Sequence, residues 1–182
     1  MILVLVLVLA LALVPLGGGR LRRLSALRFR APWLLWLALG TQVALMAFPG
    51  GETWWRVAAN VATYPLGIAW VWMNRHVPGL WIIAVGAACN LLPILANGGV
   101  MPASAHALED AGISADVGVY TNSTVLADPK LLFLGDVLAI PESFPFANVL
   151  SLGDVIIVLG AAYTIHRVTG SRLAGRPGTA KS

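Results

Sequence analysis

With 182 residues, 58% of them hydrophobic and only 11% charged, and a mean hydropathy of +0.82, the chain is too apolar for a soluble domain of its size and reads as an integral membrane protein. Its formal charge of +4 does not describe a nucleic-acid-binding face, because the basic residues sit in short segments between apolar runs, where they set topology. A single cysteine, Cys89, excludes an internal disulfide and a multi-cysteine metal site; no metal and no other cofactor is expected.

Five apolar segments are predicted as membrane-spanning helices, at about 1–17, 32–49, 54–73, 79–97 and 149–166. Met1 to Leu16 lacks a basic start, and its positive charges (Arg20, Arg22, Arg23, Arg28 and Arg30) come after it. That order predicts a retained helix with its N-terminus outside. Alternation then puts Asn74-Arg75-His76 and the tail after His166 in the cytoplasm. Ten of the twelve Lys/Arg fall on this inner side, leaving Arg56 and Lys130 outside, and all eight acids fall outside or near the outer interface. The tryptophans Trp33, Trp36, Trp54, Trp55, Trp70, Trp72 and Trp81 cluster near span ends, as an aromatic belt would. The expected architecture is all-α, with about five transmembrane helices in a bacterial inner membrane, the N-terminus outside and the C-terminus cytoplasmic. Residues 1–170 form one transmembrane domain, and 171–182 are expected to be a disordered cytoplasmic tail.

A long external loop, 98–148, is inserted between the fourth and fifth spans. It opens with Asn97-Gly-Gly-Val-Met-Pro102 and continues into a short helix over Ala103–Asp110, capped by Ser104. Asp128-Pro129, Pro141 and Pro145 mark turns. The tetrads Leu131–Leu134 and Val137–Ile140 around Asp136 predict a piece that lies on the interface. Asn122-Ser-Thr124 matches a glycosylation sequon by its letters alone.

The chemistry concentrates on two acids. Asp136, in Leu134-Gly-Asp-Val137, and Asp154, in Leu152-Gly-Asp-Val155, stand 18 residues apart in near-identical settings. A carboxylate at membrane depth costs about 2.5–3.5 kcal/mol at a helix centre, so Asp154 is expected to have a task or a partner. One reading is structural: Ser151 as N-cap and Asp154 three residues on, reaching back in a capping box favoured by the helix dipole. The other is catalytic. If Pro141–Phe146 folds back, the carboxylates can meet; like charges at close range cannot both ionise, so one would activate water and the other protonate the leaving group.

Arg56, Asn60, Thr63, Tyr64 and Gly67 recur at helical spacing and form a polar stripe in the outer half of the third span. Arg56 either snorkels to headgroups or orients a ligand or carboxylate, with Asn60 beside it. Asn90 and Asn97, two turns apart on the fourth span, could both point inward, although Asn97 also suits a helix stop before Gly98-Gly99. Three histidines, none in mid-membrane, argue against a bis-histidine haem.

The C-terminal half resembles lipoprotein signal peptidase (signal peptidase II), a four-span aspartyl peptidase. Gly86-Ala-Ala-Cys-Asn90 is similar to that family's Gly-Asn element, Leu134-Gly-Asp136 to its first aspartate segment, and Ser151-Leu-Gly-Asp154 to its second. The resemblance implies Asp136 and Asp154 as a catalytic dyad, Asn90 as a supporting polar residue, and Ser151 where the family has asparagine. The family's Asp-Arg after Gly-Asn has no counterpart here. As a whole, through Asn90–Pro102 and the paired Gly-Asp-Val elements, the chain resembles an uncharacterised family of bacterial multi-pass membrane proteins. Two functions follow as expectations. One is hydrolysis at the outer leaflet, with Arg56, Asn60, Asn90, Asn97 and Ser151 lining the groove. The other is a non-enzymatic accessory subunit, or a lipid or lipoprotein binder. Membrane lipids, a lipoprotein substrate or other membrane subunits are the expected partners, and nucleic acid is not.

Overall fold

The computed structural model describes residues 2–48, 54–113 and 123–175. Each of the five apolar segments is a helix: α1 (Ile2–Leu13), α3 (Pro32–Ala47), α4 (Trp54–Met73), α5 (Leu80–Ala96) and α7 (Leu152–Thr169). A one-turn helix α2 (Arg22–Ser25) follows α1, and α6 (Ala105–Asp110) lies in the segment between α5 and α7. Pro32 opens α3 at a position where its missing N–H costs nothing, and Gly170, at φ +73°, ends α7 in the left-handed conformation that suits glycine. Among the described residues only α7 is long and apolar enough by length and composition to cross a membrane, while α1, α3 and α5 are shorter apolar helices.

The helices pack as two units. α3 lies along α4, and α7 lies between α1 and α5, with its most extensive contact to α5. Small residues allow the close approach of α5 and α7. A Cβ on Gly86 would meet the Gly153 carbonyl at 2.7 Å and the Ile157 nitrogen at 2.8 Å, and one on Gly160 would meet the Ile83 nitrogen at 3.0 Å. α4 and α5 touch much less, and a cavity lies between the units.

Charge segregates along this bundle. The Arg20 N–H donates to the Thr169 carbonyl at 2.9 Å, the Arg172 N–H to the Gly17 carbonyl at 2.9 Å, and the Arg30 N–H to Asn74 Oδ1 at 2.7 Å. These bonds join the end of α1 to that of α7 and the start of α3 to the end of α4 at one basic end. There Leu34, Trp70, Val77 and Leu80 form a buried cluster. Trp70 is therefore not a belt residue: it is buried, with its ring 5.1 Å from that of Phe29, whereas the other six tryptophans are exposed. The segment expected as a disordered tail starts in ordered form. Ser171 is buried and caps a short 3₁₀ helix at Arg172–Ala174, while 176–182 lie outside the described residues.

The opposite end carries a small folded cap where a loop was expected, so the chain is mostly helical and not all-α. Strand β1 (Met101–Pro102) pairs in parallel with β2 (Ser123–Thr124), and β3 (Asp136–Ile140) pairs antiparallel with β4 (Asn148–Ser151). Ser104 caps α6 as expected, accepting from the Ala107 N–H. Ala103, Ala107, Leu108, Ala111 and Val149 form the core of this cap. Asn122 of the sequon lies outside the described residues.

Candidate functional site

β4 runs without a break into α7, so Ser151 both closes the sheet and opens the helix. It is wholly buried. Its Oγ accepts from the Asp154 N–H at 3.0 Å, and its own N–H donates to Asp154 Oδ2 at 3.2 Å. This is a complete capping box. Asn90, reaching across from α5, closes the network: its Nδ2 donates to Asp154 Oδ1 at 2.9 Å, and its Oδ1 accepts from Ser151 Oγ at 2.8 Å. Both carboxylate oxygens of Asp154 are thus held, one by its own helix start and one by a neighbouring helix.

Gly153 makes this possible. A Cβ there would overlap the Asn90 amide oxygen and lie 2.5 Å from the Gly86 carbonyl. Gly135, in the other Leu-Gly-Asp element, is also a close-approach position, where a Cβ would overlap the Pro102 carbonyl. The sequence reading took these glycines as parts of an echo and missed their steric role. Their signal was Gly153 and Gly160, seven apart on one face of α7 and facing Gly86 on α5.

Asp136 reaches the same place by the sheet. The Pro141–Phe146 stretch does fold back, and Asp136 is the register partner of Ser151. Side chains of such cross-strand partners have Cβ atoms about 4.5–5.5 Å apart, so Asp136 and the Ser151–Asp154 cap are neighbours. One extra residue, Val137, interrupts the ladder beside this pair, as a bulge that re-aims a side chain would. The Asp136 carbonyl accepts from the Ser104 N–H at 2.9 Å, tying the site to the start of α6.

The remaining expected site residues are spread along the bundle. Arg56 donates from Nη2 to the Leu45 carbonyl at 2.6 Å and from Nη1 to the Phe48 carbonyl at 2.8 Å. It closes the C-terminal end of α3 and stacks on Trp55, 5.5 Å from that ring's centroid. Asn60 is buried and accepts from Gln42 Nε2 at 2.8 Å, while the same amide donates to Thr63 Oγ1 at 2.9 Å; this pins α3 to α4. Asn97 caps the end of α5 and clamps the Lys130 backbone through both amide ends, at 2.8 Å and 2.9 Å. The structure therefore brings Asp136, Ser151, Asp154 and Asn90 together, uses Arg56 and Asn97 to fasten helix ends, and uses Asn60 to join α3 to α4. Among the described residues no group of three or more His, Cys, Asp or Glu could hold a metal ion.

The cavity between the helix units adjoins this network. It has a volume of about 300 Å³, and Asn90 is part of its wall. Its apolar wall includes Leu39, Ile68, Ala84 and Ala87. The polar lining residues are Gln42, Thr63, Tyr64 and Asn90, each at the edge of the wall that its helix presents toward the acidic end. The cavity is apolar over nearly all of its surface, with these polar residues at one end.

Residues 26–166 match a family described as a family of unknown function, DUF5317. The chain belongs to that family. The matched stretch runs from the end of α2 through most of α7, and so contains the cavity, the cap and all four residues of the Asn90–Ser151–Asp154–Asp136 cluster. No curated protein and no solved structure matches the chain.

Proposed function

We infer that this is a five-span protein of a bacterial inner membrane, with its acidic end outside and its basic end cytoplasmic. On this reading it binds, without chemistry, a lipid-tailed ligand with an uncharged hydrogen-bonding head in the cavity between α4 and α5. Several observations support the membrane reading. Only 28% of α7 is buried, whereas the core helix of a soluble domain is mostly buried. Large apolar side chains such as Val8, Leu9, Trp36, Leu39 and Val43 are exposed along α1 and α3. The segregation of basic and acidic ends follows the positive-inside rule.

The binding reading rests on one observation: both oxygens of Asp154 are engaged in a complete capping box and an interhelical hydrogen bond. That accounts for the buried acid without catalysis. The cavity next to it has the apolar lining that an acyl chain requires, with Gln42, Thr63, Tyr64 and Asn90 at the end where a hydroxyl or amide head would lie, and the nearby acids disfavour an anionic head. A lipid-modified protein or a partner subunit's lipid would suit it.

The test is photolabelling of the purified full chain with a monoacylglycerol carrying a diazirine on its acyl chain. Label on inward cavity residues such as Leu35, Ala38 and Ala84, lost in A84F/A87F, is the expected result. Label confined to outward residues such as Trp36 and Val43 would refute the reading. Membrane orientation is tested separately. A cysteine at Ser25 should resist, and one at Thr124 should accept, an impermeant maleimide added outside intact cells.

A second reading, hydrolysis by an aspartyl dyad as in lipoprotein signal peptidase, has one observation in its favour: the ladder makes Asp136 the partner of Ser151. It requires that the wild-type protein cleave a diacylated lipoprotein precursor and that D136N and D154N each abolish cleavage while remaining inserted. Cleavage that survives either change sinks it.

A further inference from the structure

At the basic end, away from the cluster just described, Arg20, Arg22, Arg23, Ser25 and Ala26 line a concavity of about 320 Å³. We propose that this concavity binds a phosphate group, presented by an anionic glycerophospholipid at the membrane surface. Three exposed arginines line one small space, and no acid among the described residues answers them. The described acids are Glu109, Asp110, Asp128, Asp136, Glu142 and Asp154. All belong to the cap or to the first turn of α7, whereas Arg20 and Arg23 touch Thr169 at that helix's far end. The ion pair found among the described residues, His106–Asp110, is also in the cap.

Mutual repulsion disfavours three arginines so close in sequence, yet hydrogen bonds hold the backbone that carries them and the Arg23 guanidinium itself. The Arg20 N–H donates to the Thr169 carbonyl at 2.9 Å, Arg23 Nη1 donates to the same carbonyl at 3.3 Å, and Ser25 Oγ donates to the Arg22 carbonyl at 2.8 Å. Arg23 spends one donor on the end of α7 and packs against Gly170, which leaves the rest of its fork available. The guanidinium groups of Arg20 and Arg22 have no described hydrogen bond, so their donors are free for an anion. Planar forks of this kind match the oxygens of a phosphate in pairs. The volume lies at the lower end of ordinary ligand sites, enough for a headgroup and too small for a nucleic-acid strand.

Exposed apolar residues stand beside the arginines: Leu16 and Leu21 in the α1–α2 connection and Phe29 before α3. They offer a path for acyl chains whose phosphate is held by the arginines, as basic pockets at the cytoplasmic face do for anionic lipids. This choice of a lipid as carrier rests on the membrane reading; the phosphate chemistry does not.

The experiment uses the full chain in neutral detergent, titrated with phosphatidylglycerol, with phosphatidylcholine, and with inorganic phosphate, and follows thermal stability and intrinsic tryptophan emission. The variant is R20Q/R22Q, which removes no described side-chain hydrogen bond, with R75Q as a control at the same end. Saturable binding of phosphatidylglycerol but not phosphatidylcholine, weakened at least about tenfold in R20Q/R22Q and unchanged in R75Q, is the expected result. Inorganic phosphate that binds with the same mutational pattern, while phosphatidylglycerol does not, keeps the phosphate site and reassigns its carrier to a soluble molecule. No saturable binding of either, or an equal loss in R75Q, overturns the proposal. Failure of the membrane reading would appear separately, in the maleimide labelling at Ser25 and Thr124.

Discussion

Asn90→Ala tests the centre of the site, because one amide serves two partners on another helix. Its removal leaves the Ser151 hydroxyl, wholly buried, without an acceptor for its proton. An unmet buried donor costs about 1–3 kcal/mol. It also strips Asp154 Oδ1 of a hydrogen bond to a charged group, nominally worth about 1.5–3 kcal/mol. Asp154 is half-buried, so water recovers part of that, and interhelical hydrogen bonds in membrane proteins average only about 0.6 kcal/mol. The expected loss is about 2–3 kcal/mol. Ser151→Ala should cost about 1–2 kcal/mol through the lost cap and the orphaned Asn90 oxygen. Since the two residues share a bond, the double variant should cost less than the sum, by about 1 kcal/mol. Reversible unfolding of the full chain in mixed micelles, titrated with a denaturing detergent and followed by far-ultraviolet circular dichroism, measures all four species. An Asn90→Ala loss under about 0.5 kcal/mol, or strict additivity, would show that the network contributes nothing to folding.

Gly153→Ala should lower stability by about 1–3 kcal/mol in the same assay, because the new methyl overlaps Asn90 and crowds Gly86. Gly40→Ala, in α3 with nothing within 4 Å of the added carbon, should instead raise it by up to about 1 kcal/mol, and matching signs would refute the packing argument. His106 is held above its ordinary value of 6.5, first by a hydrogen bond within its own backbone and then by Asp110, 3.0 Å away. The sign follows: its contribution to the cap is complete below the unfolded value and fades as pH rises through the elevated folded one. An NMR titration of the ring should give a midpoint above 6.5 that D110N lowers; a wild-type midpoint at or below 6.5 refutes the pairing. Asn97→Ala frees the Lys130 backbone from α5, so limited proteolysis should cut near Lys130 faster than in the parent protein, with the helices left intact.

Helix positions were legible because apolar runs of the right length leave few alternatives, and their shared basic end was legible because arginines avoid lipid depth. The cap of Asp154 was legible too, since Ser-x-x-Asp before an apolar run is a local signal. What stayed hidden depends on distance in sequence. Nothing near Asn90 announces Ser151 and Asp154, 61 and 64 residues away, as its partners. Arg56 and Asn60 suit a groove lining because helical spacing places them on one face; it does not say which neighbour that face meets, and the neighbour is α3, its end for Arg56 and Gln42 for Asn60. Trp70 was grouped with the belt residues by its composition, while its partner Phe29 is remote in the chain. The strands of the cap escaped notice because two to five residues each are too short for an alternating pattern to stand out.

The two Leu-Gly-Asp-Val elements show how like sequences are put to unlike use. In both, glycine is required because another backbone passes within contact distance, Pro102 over Gly135 and Gly86 over Gly153. In the second, the acid that follows turns back to cap its helix and is then held by Asn90. In the first, the acid sits in a strand beside a bulge, with its backbone bound to the start of α6. The resemblance between them therefore reflects a shared demand for close packing at the acidic end. They meet at Ser151, whose buried hydroxyl joins α5 to α7 through Asn90 and Asp154 while its strand pairs with Asp136. On the binding reading proposed above, polar residues at one end of an apolar cavity would discriminate ligands by head group and tolerate variation in the tail. For that reason the most informative ligand series varies the head, from hydroxyl to amide to phosphate, on a constant acyl chain. Affinity that follows the chain length and ignores the head would mean that the polar end does not take part in recognition.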